Sequence, residues 1–134
     1  MKIGKLLLTT LIIYVVYQAL NYVIHSVALG PIYMGLASIW RQDMNSVMWA
    51  MYVSDLIRIF LFVFIFTKGV ENRGWMEGLR YGLLMGLLLA LGMSLNEYAI
   101  YPIPLTLAIY WLVLTTVQFA ICGIVTALLY KPAK

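Results

Sequence analysis

The chain has 134 residues, 64% of them hydrophobic and only 10% charged, with a mean hydropathy of +0.95. That leaves too little polar surface to coat a water-soluble globule, in which about a quarter of residues are charged. The net charge of +4 does not mark a nucleic-acid binder, because the basic residues are scattered near segment ends; the single Cys122 excludes an internal disulfide.

A hydrocarbon core about 30 Å thick takes about 20 apolar residues per helix. Four segments reach that length, at 6–29, 46–67, 78–98 and 104–129. The first begins "MKIGKLLLTTLIIYVV", a charged head and an apolar run, with Ser26-x-Ala28 as a passable signal-cleavage site. Gln18, Asn21 and His25 make a poor approach to cleavage, so the segment reads as a retained span. Pro31, Pro102, Pro104 and Pro132 all fall at segment edges, where no helix hydrogen bond is lost. Gly30 before Pro31 reads as the end of the first helix. Continuous apolar runs, with no alternation, exclude a barrel. The expected fold is all-α: one domain over residues 1–134, an antiparallel bundle of four transmembrane helices.

Lysine and arginine set the direction. Lys2, Lys5, Lys68, Arg73, Arg80, Lys131 and Lys134 fall on one side, and only Arg41 lies on the other. The positive-inside rule then puts both termini in the cytoplasm. Trp40, Trp49, Tyr98 and Tyr101 would form the outer aromatic belt, and Trp75, Tyr81 and Tyr130 the inner one.

The first span carries Tyr14, Gln18, Asn21 and His25 at i, i+4, i+7 and i+11, one helical face. The second carries Tyr52, Asp55 and Arg58 at i, i+3 and i+6. The fourth carries Trp111, Thr115, Gln118 and Cys122 on one face. At 1.5 Å per residue, Asn21 and Asp55 lie roughly 12–14 Å from the outer ends of their spans, and Gln18, Arg58 and Thr115 roughly 16–18 Å. An aspartate or arginine facing lipid at a helix centre costs about 2.5–3.5 kcal/mol, so these faces are expected to point inward. Asp55 and Arg58 then partner each other on adjacent turns, and the amides fill their remaining valences. Such a pair is either a functional site or a structural pair that fixes helix register.

The third span carries Gly78, Gly82, Gly86, Ala90 and Ser94 every four residues, a groove for close helix approach. It serves either packing within one bundle or a seam with a partner. Met34, Met44, Met48 and Met51 suit ordinary packing better than cuprous ion. Glu97 reads as hydrated, and "KGVENRGWMEGLRYG" as a solvated turn. No nucleotide loop, zinc spacing or nucleophile triad appears.

"LNYVIHSVALGPIY", "SIWR", "GWMEGLRYGLLMG" and the closing "YPIP…W…G…LLYKP" resemble a family of small four-helix bacterial integral membrane proteins with no assigned activity. The likeness runs from Leu20 to Pro132. It implies four spans, a histidine late in the first and a Glu-Gly-x-x-x-Gly entry to the third. His25, Tyr33, Arg41, Glu77 and Arg80 match its motifs. Asn21 stands where such relatives carry an acidic residue.

Together these features predict a non-catalytic accessory or scaffold subunit of a homo- or hetero-oligomeric assembly in the cell inner membrane. Its partners would be the lipid bilayer and, through the small-residue seam, itself or another membrane protein. No nucleic acid, cofactor or metal is expected. The alternative is a small proton- or ion-coupled transporter or channel with its polar site around Asp55 and Arg58. An intramembrane enzyme would need a nucleophile or metal, and Cys122 and His25 lie near opposite faces.

Overall fold

The structure, a computed structural model, describes residues 2–132; Lys134, one of the residues used for orientation, lies outside them. Helix α1 (Ile3–Asn21) continues without a break into a π-helical segment, Tyr22–Ala28. A short α2 (Gly30–Gly35) follows, then α3 (Met44–Gly69), α4 (Trp75–Ile100) and α5 (Leu105–Leu129). The described residues contain no strand. Four helical stretches, Ile3–Ala28, Met44–Gly69, Trp75–Ile100 and Leu105–Leu129, are long and apolar enough to cross a membrane.

The first three begin earlier than their apolar cores, because helical hydrogen bonding continues past the point where side chains become polar. The fourth begins after Pro104, whose extended backbone (φ −65°, ψ 145°) makes it a cap and not a helical residue. Gly30 and Pro31 do more than end the first helix. They open α2, with Pro31 in its first turn, where the missing N–H has no helical partner to lose.

The most extensive contact joins α4 and α5. Gly78, Gly82, Gly86, Ala90 and Ser94 are the buried residues of α4, and the groove they form is filled by α5 of the same chain. A Cβ on Gly78 would lie 2.7 Å from Ala127 Cβ; on Gly82, 2.8 Å from Ala120 Cα; on Gly86, 2.9 Å from Thr116 Cα. Gly123 answers from α5, where an added Cβ would lie 2.9 Å from Gly82 Cα. The two backbones therefore touch directly, the kind of packing that substitutes for the hydrophobic drive absent between helices in lipid. Ser94, Thr116 and Thr126 return their hydroxyls to the carbonyls of Ala90, Leu112 and Cys122 one turn back, so none is left unpaired in the interface.

Ile13, Tyr17, Ile59, Phe62, Val63, Phe119 and Cys122 form the buried core between α1, α3 and α5. Tyr81 turns its ring into the bundle. Its ring packs on Phe62 and Phe66, and its hydroxyl donates to the Phe62 carbonyl. Tyr130 likewise is buried beside Phe66 and Ala127. Both rings are drawn inward because the bundle end holds apolar partners for them. The turn before α4 is ordered, with Asn72 (φ 61°) and Gly74 (φ 77°) in the left-handed region. The Glu77 carboxylate accepts the backbone N–H groups of Glu71 and Arg73 (2.8 Å), closing that turn over the helix start.

Gly82→Leu should lower stability by about 3 kcal/mol, the upper end for overpacking, as read by denaturing-detergent titration of the micellar protein. Gly92 has open space around it. Gly92→Ala should leave stability unchanged or raise it by up to about 1 kcal/mol. Equal behaviour of the two variants would contradict the backbone contact.

Candidate functional site

Asp55 sits on the buried face of α3, with its side chain 10% exposed. Its Oδ2 accepts from Gln18 Nε2 at 3.1 Å and from Asn21 Nδ2 at 3.3 Å, both on the first span. Its Oδ1 faces Arg58 Nη1 at 3.5 Å, one turn along the same helix. The same Nη1 donates to the Tyr17 hydroxyl at 3.0 Å. Gln118 of α5 closes the set, donating through Nε2 to Asn21 Oδ1 at 2.8 Å and to the Tyr17 carbonyl at 3.2 Å. Tyr14 adds a bond from its hydroxyl to the Tyr52 carbonyl.

Two elements thus meet on one carboxylate, and a third joins through Asn21. The helical spacing explains it: Gln18 and Asn21 are three apart on α1, so both amides lie over the same turn of α3. Asn21 is the relay, giving its N–H to Asp55 and its oxygen to Gln118. Each hydrogen bond to a charged group contributes about 1.5–3 kcal/mol where water is absent.

The expected residues do not all join. Thr115 is buried on α5 but makes no hydrogen bond to the cluster among the described residues. His25 makes no hydrogen bond to the Asp55 cluster among the described residues. In the segment Tyr22–Ala28 each hydrogen bond spans one residue more than in an α-helix, as in Leu29 N–H to the Ile24 carbonyl. The imidazole is bonded away from the Asp55 cluster. Its Nδ1 lies 2.7 Å from the Tyr33 hydroxyl. Trp111 Nε1 donates to that hydroxyl at 2.7 Å, and Trp40 Nε1 donates to the Tyr33 carbonyl at 3.0 Å. Trp40 is thus tied to α2, where the sequence suggested a headgroup anchor. The indole only donates, so the Tyr33 oxygen accepts from it. Cys122 stays apart from His25, buried in the core with Phe119.

Two residues that carry the geometry escaped the sequence reading. Tyr17 is the nearest partner of Arg58, yet it looked like one more aromatic; its spacing of four from Asn21 was the available signal. Tyr33 gathers His25, Trp40 and Trp111, and only a motif resemblance had marked it. Among the described residues, no group of three His, Cys, Asp or Glu side chains comes together. Chemically, the site offers one carboxylate acceptor, one guanidinium and three neutral amides.

The class this fold defines is a multi-pass α-helical membrane protein. Comparison with family models, curated proteins and solved structures returned no match, so its role must be read from its own geometry.

Asp55→Asn should destabilise the protein by about 3 kcal/mol, the low end for breaking a buried pair because Arg58 is partly exposed. The double variant with Arg58→Met should recover part of that loss; additive losses in a double-mutant cycle would show the pair to be uncoupled. Tyr33 lies outside the spans, and burial holds its phenol above the ordinary range despite the Trp111 hydrogen bond. Stability should therefore be complete below about pH 10, the free-tyrosine value. Above it only the unfolded state ionises there, and stability falls. Tyr33→Phe should make that fall shallower in the same unfolding titration carried out from pH 8 to 11.

Proposed function

We propose that this protein is a non-catalytic subunit of an oligomeric assembly in the cell inner membrane, with four antiparallel spans and both termini cytoplasmic. The one observation that carries the reading is the state of Arg58. Its side chain remains 33% exposed, at roughly mid-membrane depth by the 1.5 Å rise per residue. Only Nη1 has partners; its other N–H groups make no hydrogen bond among the described residues. A guanidinium has five donors and is costly to leave facing lipid. A neighbouring chain with a carboxylate, carbonyl or amide at that depth would complete it.

The surrounding face suits such a neighbour. Met51, Ser54, Leu61 and Ile65 are exposed and flank Arg58 at alternating steps of three and four, the spacing of a helix-packing seam. Two copies related by a two-fold axis along the membrane normal would set Arg58 against Arg58, so a different chain is the better partner. The small-residue groove is not available for this role, being filled by α5. Antiparallel packing is supported by the order of contacts, Gly78 with Gly123 and Gly86 with Thr116. The cytoplasmic assignment rests on the lysine and arginine distribution; Arg41 on the opposite side is also paired with Asp43 at 2.6 Å. The motif resemblance to small bacterial four-helix membrane proteins agrees with this placement.

The exposed part of Arg58 also favours a second reading, in which water reaches the guanidinium and Asp55 serves an ion or proton path. Both are tested together. In a mild detergent the wild-type chain should migrate with a partner, and Arg58→Met should release it while keeping the helical circular dichroism. A wild-type monomer, or a partner retained by the variant, refutes the subunit reading. Proton flux in liposomes that drops in Asp55→Asn selects the second.

A further inference from the structure

We propose that the cleft where α1 begins and α5 ends binds the phosphate headgroup of an anionic phospholipid. The cleft has a volume of about 680 Å³ and is lined by Lys2, Lys5 and Lys131 together with Thr67 and Tyr130. That size lies within the range of about 300–1,000 Å³ typical of ligand pockets. Among the described residues, no acidic side chain lines it. Lys5 is fixed in place: its ammonium donates to the Lys131 carbonyl and lies 5.2 Å from the centre of the Tyr130 ring. An ammonium has three donors, so protons remain for an anion.

The helix terminus gives an independent reason. α1 has no acidic residue in its first turn, and Lys2, its N-cap, supplies no side-chain cap. The positive end of a helix dipole therefore meets two lysines, a repulsive arrangement. A bound phosphate would reverse its sign, accepting from both ammonium groups at once. Topology alone asks for lysines near this end of the spans, but it does not ask that three of them line one cleft. A headgroup is the phosphate source that the position favours, because basic pockets between helices at the cytoplasmic surface meet anionic lipid first.

The inference rests on the membrane placement proposed above, which alkaline extraction of the native membranes checks separately: release of the chain would defeat that placement. The binding test uses the full, delipidated chain in detergent micelles. Phosphatidylglycerol and phosphatidylcholine with identical acyl chains are titrated and bound lipid is counted by native mass spectrometry. Phosphatidylglycerol should bind at least about tenfold more tightly, and Lys2→Gln alone should weaken it about fivefold, the contribution of one basic residue near the surface. The triple variant K2Q/K5Q/K131Q should abolish the preference. The control K68Q/R73Q/R80Q, which removes equal charge outside the cleft, should keep it. Equal affinity for the two lipids overturns the proposal, as does an equal loss in the triple variant and the control. Displacement of phosphatidylglycerol by inorganic phosphate at matched concentration would make the ligand a soluble anion and overturn the lipid assignment.

Discussion

A carboxylate inside a lipid bilayer has no water to turn to, and this bundle is organised around that demand. Asp55 draws two amides from the first span and a guanidinium from its own helix. Asn21 passes the connection on to Gln118. Without that carboxylate, the Gln18 and Asn21 amides would lose their shared acceptor on α3, and apolar side chains gain little by leaving lipid for one another. The polar cluster is therefore what gives this half of the bundle a defined arrangement.

The other half is held by shape. α4 meets α5 through glycines and small side chains, backbone against backbone, with hydroxyls folded onto their own helix. α5 belongs to both halves. Gly123, Ala120 and Thr116 face α4, while Gln118 and Cys122 face the first span. One helix thus couples a seam that tolerates no added methyl to a site that tolerates no unpaired charge.

Much of this was legible in the sequence. The number of spans followed from apolar length, and the groove on α4 from five small residues in register. The meeting of Gln18, Asn21 and Asp55 followed from depth and helical spacing. What was not legible has specific causes. Aromatic residues near a span end look alike whether or not they turn inward, so the contacts of Tyr81, Tyr130 and Trp40 within the bundle were not foreseen. A phenol on a polar face is easily counted as packing, which hid Tyr17. Fixed helical periodicity carried the stripe on to His25, and nothing in "YVIHSVA" announces a change of winding.

That change of winding has a consequence of its own. Because the wide turn holds one surplus residue, everything beyond it is rotated in phase relative to the amides below. Deleting a single residue between Tyr22 and Ala28 would absorb the surplus, restore uniform α-helical winding and leave the following chain facing nearly as it does now. Tyr33 would keep its place beside Trp111, whereas a deletion in the α-helical part of the span would turn the chain beyond it by about 100°. The wide turn thus sets the angle at which the chain leaves the first span toward α2.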